Sequence, residues 1–225
     1  MDRITCVVLS LCSSLALAGP EWPEVGDAGS TPGTAQPVAS GGGGTVTKII
    51  GNLEGSGLPD TGLGDYQDMY LIEICDPVSF RASTLPEDNG QADFNASLWL
   101  FAFDGHGLLG NQEAQPGLTS PILLSESNDG TGVMLTTPGL YYLAITGAGS
   151  VPLSAGGLPI FEFLAPGEIS GPDGPGGTLP IDSWTSPGDF GHYEIALQGV
   201  CFIVPAPTTT ATLVSLGLIG LRRRR

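Results

Sequence analysis

Between residue 45 and residue 203 the chain alternates apolar and polar positions with the two-residue period of strands. In 69–75 the residues Tyr70, Ile72 and Ile74 fall on one face and Glu73 on the other, and in 193–198 Tyr193, Ile195 and Leu197 alternate with Glu194 and Gln198. The segment 98–103, Leu-Trp-Leu-Phe-Ala-Phe, is apolar at both parities and predicts a central strand covered on both faces. Pro138-Gly139 is a turn feeding a second central strand. Strands are predicted near 45–53, 68–75, 77–84, 97–103, 132–136, 139–146, 160–164 and 191–203, separated by Gly, Pro, Asn and Asp. No long apolar face recurs at helical spacing in this region. The expected fold is all-β, an antiparallel β-sandwich or jelly roll spanning 45–203.

The flanks follow other rules. Residues 1–18 pair a basic start at Arg3 with an apolar run and an Ala-x-Ala site, the layout of a secretory signal peptide cleaved between Ala18 and Gly19. Residues 19–44 carry 8 Gly and 4 Pro in 26 positions and read as a disordered linker. At the other end Val204-Pro205-Ala206-Pro207 precedes a short apolar segment and then Arg222, Arg223, Arg224 and Arg225. A helix over 208–221 would rise about 21 Å against ~30 Å of hydrocarbon, a marginal span whose terminal charges would stay cytoplasmic. A plain tail anchor is the alternative use of such an end.

This tripartite tail resembles the PEP-CTERM sorting signal of Gram-negative bacteria, with Ala206 standing where that family has Glu. The resemblance implies recognition by the membrane enzyme exosortase, cutting near the triplet and releasing the protein to the surface or extracellular matrix. It covers 204–225 only. The central succession, Gly64-Asp65-Tyr66-Gln67-Asp68-Met69-Tyr70, then 98–104, 127–130 and 138–145, resembles the bacterial pre-peptidase C-terminal domain, a small secreted β-sandwich without catalytic residues of its own. Against that pattern the Gly/Pro-rich stretch 165–180 is an inserted loop.

Charge sharpens this picture. The 225 residues hold 23 acids against seven Lys and Arg, a net charge of −16, and five of those seven cations lie in the two end segments. With both ends removed, Lys48 and Arg81 face 22 acids. A nucleic-acid partner is excluded on this balance, because phosphate binding needs basic residues. Most acids serve solubility. Asp65, Asp68, Asp104, Asn128 and Asp129 sit in turns that could alternatively supply oxygens to calcium, although none has the spacing of an EF-hand loop.

Two cysteines, Cys75 and Cys201, remain after export, and the reading is one disulfide in an oxidising compartment or, alternatively, two buried thiols. Strand parity puts Cys75 on the face of Glu73 and Cys201 in register with Tyr193 and Leu197, so a disulfide requires a bulge, for which Gly199 is the natural place. The chain has no Gly-x-Ser-x-Gly elbow, no His-Glu-x-x-His and no phosphate loop. The expectation is therefore a non-catalytic module that meets signal peptidase, an exosortase-type protease and, transiently, the inner membrane. The alternatives are a carbohydrate-binding or calcium-dependent adhesion module, and a secreted hydrolase using His106 or His192. For sugar stacking on extracellular polysaccharide the candidates are Trp184 and Tyr66, with capping of the core as the other use of Trp184; Trp99 is assigned to the core and Trp22 to the linker.

Overall fold

The computed structural model describes residues 20–56, 64–162, 165–185 and 187–205. Its strands in chain order are β1 (Glu21–Pro23), β2 (Gln36–Pro37), β3 (Lys48–Leu53), β4 (Gln67–Ile74), β5 (Arg81–Ser83), β6 (Gln91–Ala92), β7 (Ala96–Ala102), β8 (Gly107–Asn111), β9 (Ile122–Leu123), β10 (Gly139–Gly147), β11 (Pro152–Ser154), β12 (Leu158–Pro159), β13 (Ile181–Trp184), β14 (Gly191–Gln198) and β15 (Val200–Cys201). One sheet runs β1-β3-β14-β5-β9, with β6 also on β14. The other runs β15-β4-β10-β7-β8, with β2 also on β4, and a small third sheet runs β12-β11-β13. The chain is all-β and sandwich-like.

The main core is made by the inward parity of both large sheets. Ile49 and Leu53 from β3 and Tyr193, Ile195 and Leu197 from β14 meet Tyr70, Ile72 and Ile74 from β4, Leu98 and Leu100 from β7, and Leu143 and Ile145 from β10. Burial of this apolar surface is the principal driving force for the fold. The opposite parity of the second sheet is also covered. Met69, Trp99, Phe101, Tyr142 and Ala144 form a second cluster with Ile160, Phe161 and Ile181. The central strand predicted at 97–103 is therefore observed as β7, with Leu98 and Leu100 facing one core and Trp99 and Phe101 the other.

Several expectations change. Residues 20–44 are an ordered strap, which corrects the disordered linker expected there: β1 pairs in parallel with β3 and β2 in parallel with β4, so the strap joins one sheet and then the other. Ala28 and Val38 are fully buried in the main core, and Trp22 stands edge-on to Phe202 at 6.2 Å. The segment 77–84 begins as a 3-10 turn (Pro77–Ser79) before β5. Segment 132–136 forms no named strand but bridges Met134 to Glu126, with backbone bonds to Ser125 and Ser127, and β12 precedes the strand expected at 160–164. The strand expected over 191–203 is divided at Gly199.

That division resolves the parity problem of the cysteines. β14 belongs to the first sheet and β15 to the second, and the chain crosses between them at Gly199, whose φ of 72° favours glycine. The Gly199 carbonyl accepts bonds from the backbone N–H groups of Cys75 (2.9 Å) and Asp76 (3.0 Å). Cys75 and Cys201 then lie with Cα atoms 5.8 Å apart and form a disulfide across a separation of 126 residues. The crossing takes the place of a bulge within one strand.

Val204 and Pro205 are described and exposed. Ala18, Gly19, Ala206, Pro207, Arg222 to Arg225 and the expected apolar helix lie outside the described residues. Among the described residues no helix is long and apolar enough to cross a membrane.

Candidate functional site

The strap brings acids from far apart in sequence to one place. Glu24, just after β1, is anchored to β3: its N–H donates to the Ile50 carbonyl (2.8 Å), and its carboxylate accepts from the N–H groups of Asn52 (3.0 Å) and Ala28 (2.9 Å). The chain then crosses to the other sheet, where the Gly29 carbonyl accepts from the N–H of Met69 on β4 (2.7 Å). Asp27 lies on this crossing and closes a tight turn by accepting from the N–H of Gly29 (2.7 Å). Asp65 is fixed by reciprocal backbone bonds with Gly55, and one of its carboxylate oxygens accepts from the N–H of Glu54 (2.8 Å). Asp68 is the second residue of β4 and points with Tyr70 into the sandwich.

One carboxylate oxygen from each of Asp27, Asp65 and Asp68 lies within 4.8 Å of the other two. The cluster is graded in depth: Asp68 is fully buried, Asp65 is 7% exposed, and Asp27 is open to solvent. A pocket of about 250 Å³ opens onto it, lined by Asp27, Ser30, Thr34, Asp65, Tyr66 and Gln67. In the core the Tyr193 hydroxyl donates to Oδ2 of Asp68 at 2.5 Å. With that proton committed, the Tyr70 hydroxyl must donate to Tyr193, giving the chain Tyr70 to Tyr193 to Asp68.

Oδ1 of Asp65 and Oδ1 of Asp68 are buried without a hydrogen-bond partner. Such atoms are costly in a protein interior, and their carboxyl groups resist ionisation accordingly. Burial, then the charges of Glu24 and Asp65, push the Asp68 carboxyl up to about 9. Burial raises Asp65 to about 6, and burial raises Glu24 to about 7 against the bonds from Asn52 and Ala28. No side-chain cation offsets this. Lys48 and Arg81 are the only Lys and Arg in the described residues, and they pair elsewhere, with Glu194 and Asp88.

The other turn acids have different surroundings. Asp104 is exposed, 3.0 Å from Nδ1 of His106. Asp129 accepts from the N–H (2.9 Å) and hydroxyl (2.6 Å) of Thr131, the N–H of Gly171 (2.6 Å) and the hydroxyl of Ser170 (3.1 Å). Asn128 accepts from the N–H of Ile169 (2.8 Å) and donates to the Gly167 carbonyl (3.0 Å). Asn128 and Asp129 therefore pin the loop 165–173 in place. Of the five turn residues singled out for calcium, only Asp65 and Asp68 come together. They are joined by Asp27, which the sequence reading assigned to a linker.

The aromatic candidates are also placed. Trp184 packs 6.5 Å from Trp99 and 6.4 Å from Phe101, and its indole N–H donates to the Ser30 carbonyl (2.7 Å), so the ring caps the second cluster and ties it to the strap. Tyr66 lines the acidic pocket and meets Phe190 edge-on at 6.0 Å. His192 is 3.7 Å from Glu194 on the outer face of the first sheet, half-exposed. No family model, curated protein or solved structure matches the chain.

Proposed function

We propose that the chain is a non-catalytic module of a bacterial surface or extracellular matrix. In this reading a signal peptide ending at Ala18 exports it, and an exosortase-type protease processes it near Pro205-Ala206-Pro207, with the apolar segment and Arg222 to Arg225 holding it transiently at the inner membrane. The observation that carries the reading is how the sandwich ends. The disulfide closes β15 onto β4, and the last backbone pairings among the described residues, the Ile203 N–H to the Val38 carbonyl (2.9 Å) and the bridge between Ile203 and Ala39, come before the triplet begins. Val204 and Pro205 project into solvent. Cleavage there would cost the domain no core residue, and the disulfide suits an oxidising compartment.

Mass spectrometry of the C-terminus tests this, with the full chain produced in a host that carries an exosortase and in the same host without it. The expected result is a mature end near Pro205 to Pro207 only when the protease is present, lost when Arg222 to Arg225 are replaced by Ser. An identical, intact tail in all three samples would establish a simple anchor and overturn the sorting reading.

A further inference from the structure

We propose that Asp27, Asp65 and Asp68 form a calcium site that clasps the N-terminal strap to the sandwich. The site is independent of how the chain is sorted. Three observations converge. The oxygens are separated by no more than 4.8 Å, the span of two ligands on opposite sides of an ion bound at about 2.4 Å. Two of the carboxylates are more than nine-tenths buried, and each keeps an oxygen that nothing in the protein satisfies. The only two Lys and Arg side chains in the described residues are held in ion pairs with other acids.

The donor set selects the ion. All three groups are carboxylates, which suit hard cations, whereas zinc and copper prefer imidazole or thiolate. Magnesium needs oxygens at about 2.0–2.1 Å in near-octahedral array, a tighter cage than three acids drawn from a loop crossing and a strand entry provide. Calcium accepts six to eight oxygens in loose geometry, and the pocket beside Ser30 and Thr34 leaves room for water to complete the shell.

The consequence is structural. Asp27 is on the strap, and Asp65 and Asp68 are on the approach to β4 and its first turn of pairing. An ion among them would bind the crossing segment to the second sheet at the point where the Gly29 carbonyl already meets Met69.

The test uses the exported protein stripped with chelator and titrated with calcium chloride alone in a calorimeter, over a range up to about 10 mM. The expected result is one saturable heat, a rise in Tm on adding calcium, and slower proteolysis within residues 20–44. Asp27→Asn, a change at an exposed position that keeps an acceptor for the Gly29 N–H and leaves the core intact, should weaken calcium binding at least about tenfold while Tm in chelator does not fall. Magnesium chloride in the same cell should bind at least about tenfold more weakly than calcium. Absence of heat together with an unchanged Tm would overturn the proposal, and so would calcium binding by Asp27→Asn equal to that of the unmodified protein.

Discussion

Two acidic regions of this molecule use the same side chain to opposite ends. Asp129 sits where two loops meet and supply its donors: two hydrogen bonds from Thr131 in its own turn and two from Ser170 and Gly171, 41 and 42 residues on, converge on its two oxygens. Burial works against its charge, but those bonds outweigh it and hold the carboxyl down at about 2. Asp68 is buried more deeply, receives one hydroxyl and faces other carboxylates, and its carboxyl is held at about 9. Burial raises both pKa values, so donor supply decides the sign. A local Asn-Asp-Gly turn and the loop beside it can be composed to satisfy an acid. The cluster at Asp27, Asp65 and Asp68 is assembled across a similar separation, but its segments bring carboxylates together with too few donors and leave two buried oxygens unsatisfied.

The largest expected effect lies on the satisfied side. Asp129→Ala leaves the N–H groups of Thr131 and Gly171 without their acceptor and frees the loop 165–173 from its neighbour, a loss of about 2–4 kcal/mol of unfolding free energy. Urea denaturation measures it, and the loss should be the same with calcium or chelator. A change under about 1 kcal/mol would mean that solvent replaces those bonds and the contrast is one of geometry without energy.

The unsatisfied side should respond with the opposite sign. Asp68→Asn keeps an acceptor for the Tyr193 hydroxyl and removes a group that must stay protonated in the fold at neutral pH. In chelator it should stabilise the protein by about 1–3 kcal/mol, an effect linked to the raised carboxyl. The same variant should abolish the Tm rise with calcium. A destabilised Asp68→Asn in chelator would break the comparison, because the carboxyl would then be serving the empty fold.

How much of the fold and of the acidic cluster was legible in the sequence follows from the range of the interactions. The covered strand β7 announces itself because both parities of 98–103 are apolar, and each parity does find its own core. The cysteine parity and Gly199 pointed to an irregularity, and the structure supplies it as a crossing between sheets. By contrast β8 was not foreseen, because its glycines argue against a strand. Gly110 is there because a Cβ at that position would lie 2.8 Å from the Trp99 ring, so the strand gives up a side chain to seat the tryptophan. The strap was hidden for a similar reason. Its strands are two and three residues long and borrow their partners from β3 and β4, which composition cannot register. Asp65 and Asp68 could be read as turn acids, but Asp27 joins them only through the docking of Ala28 and the backbone bond at Gly29, contacts that no local pattern encodes.

A pH series separates the two regions further. The Asp129 carboxyl is depressed below the ordinary carboxylate value, so the stability it contributes is fully present above about pH 4 and is lost as the pH falls through about 2. The stability difference between the unmodified protein and Asp129→Ala should therefore shrink by about 1–2 kcal/mol between about pH 5 and pH 2, allowing for partial solvent screening of a half-buried group. Urea midpoints at both ends of that range give the number. A constant difference would show that the protonated acid holds the loop as well as the charged one.

The smallest effect belongs to Asp104, which has a turn like that of Asp129 and an acid like that of Asp65 but neither the donors of the one nor the burial of the other. Its carboxylate faces solvent and touches only His106, by its N–H at 3.2 Å and by Nδ1 at 3.0 Å. Asp104→Ala should change stability by less than about 0.5 kcal/mol, the usual range for an exposed pair, and leave the calcium heat unaltered. Its value lies in what a larger response would mean. A loss of calcium binding in this variant would place a fourth acid within the field of the cluster and make charge density, in place of the unsatisfied buried oxygens, the property that draws the ion.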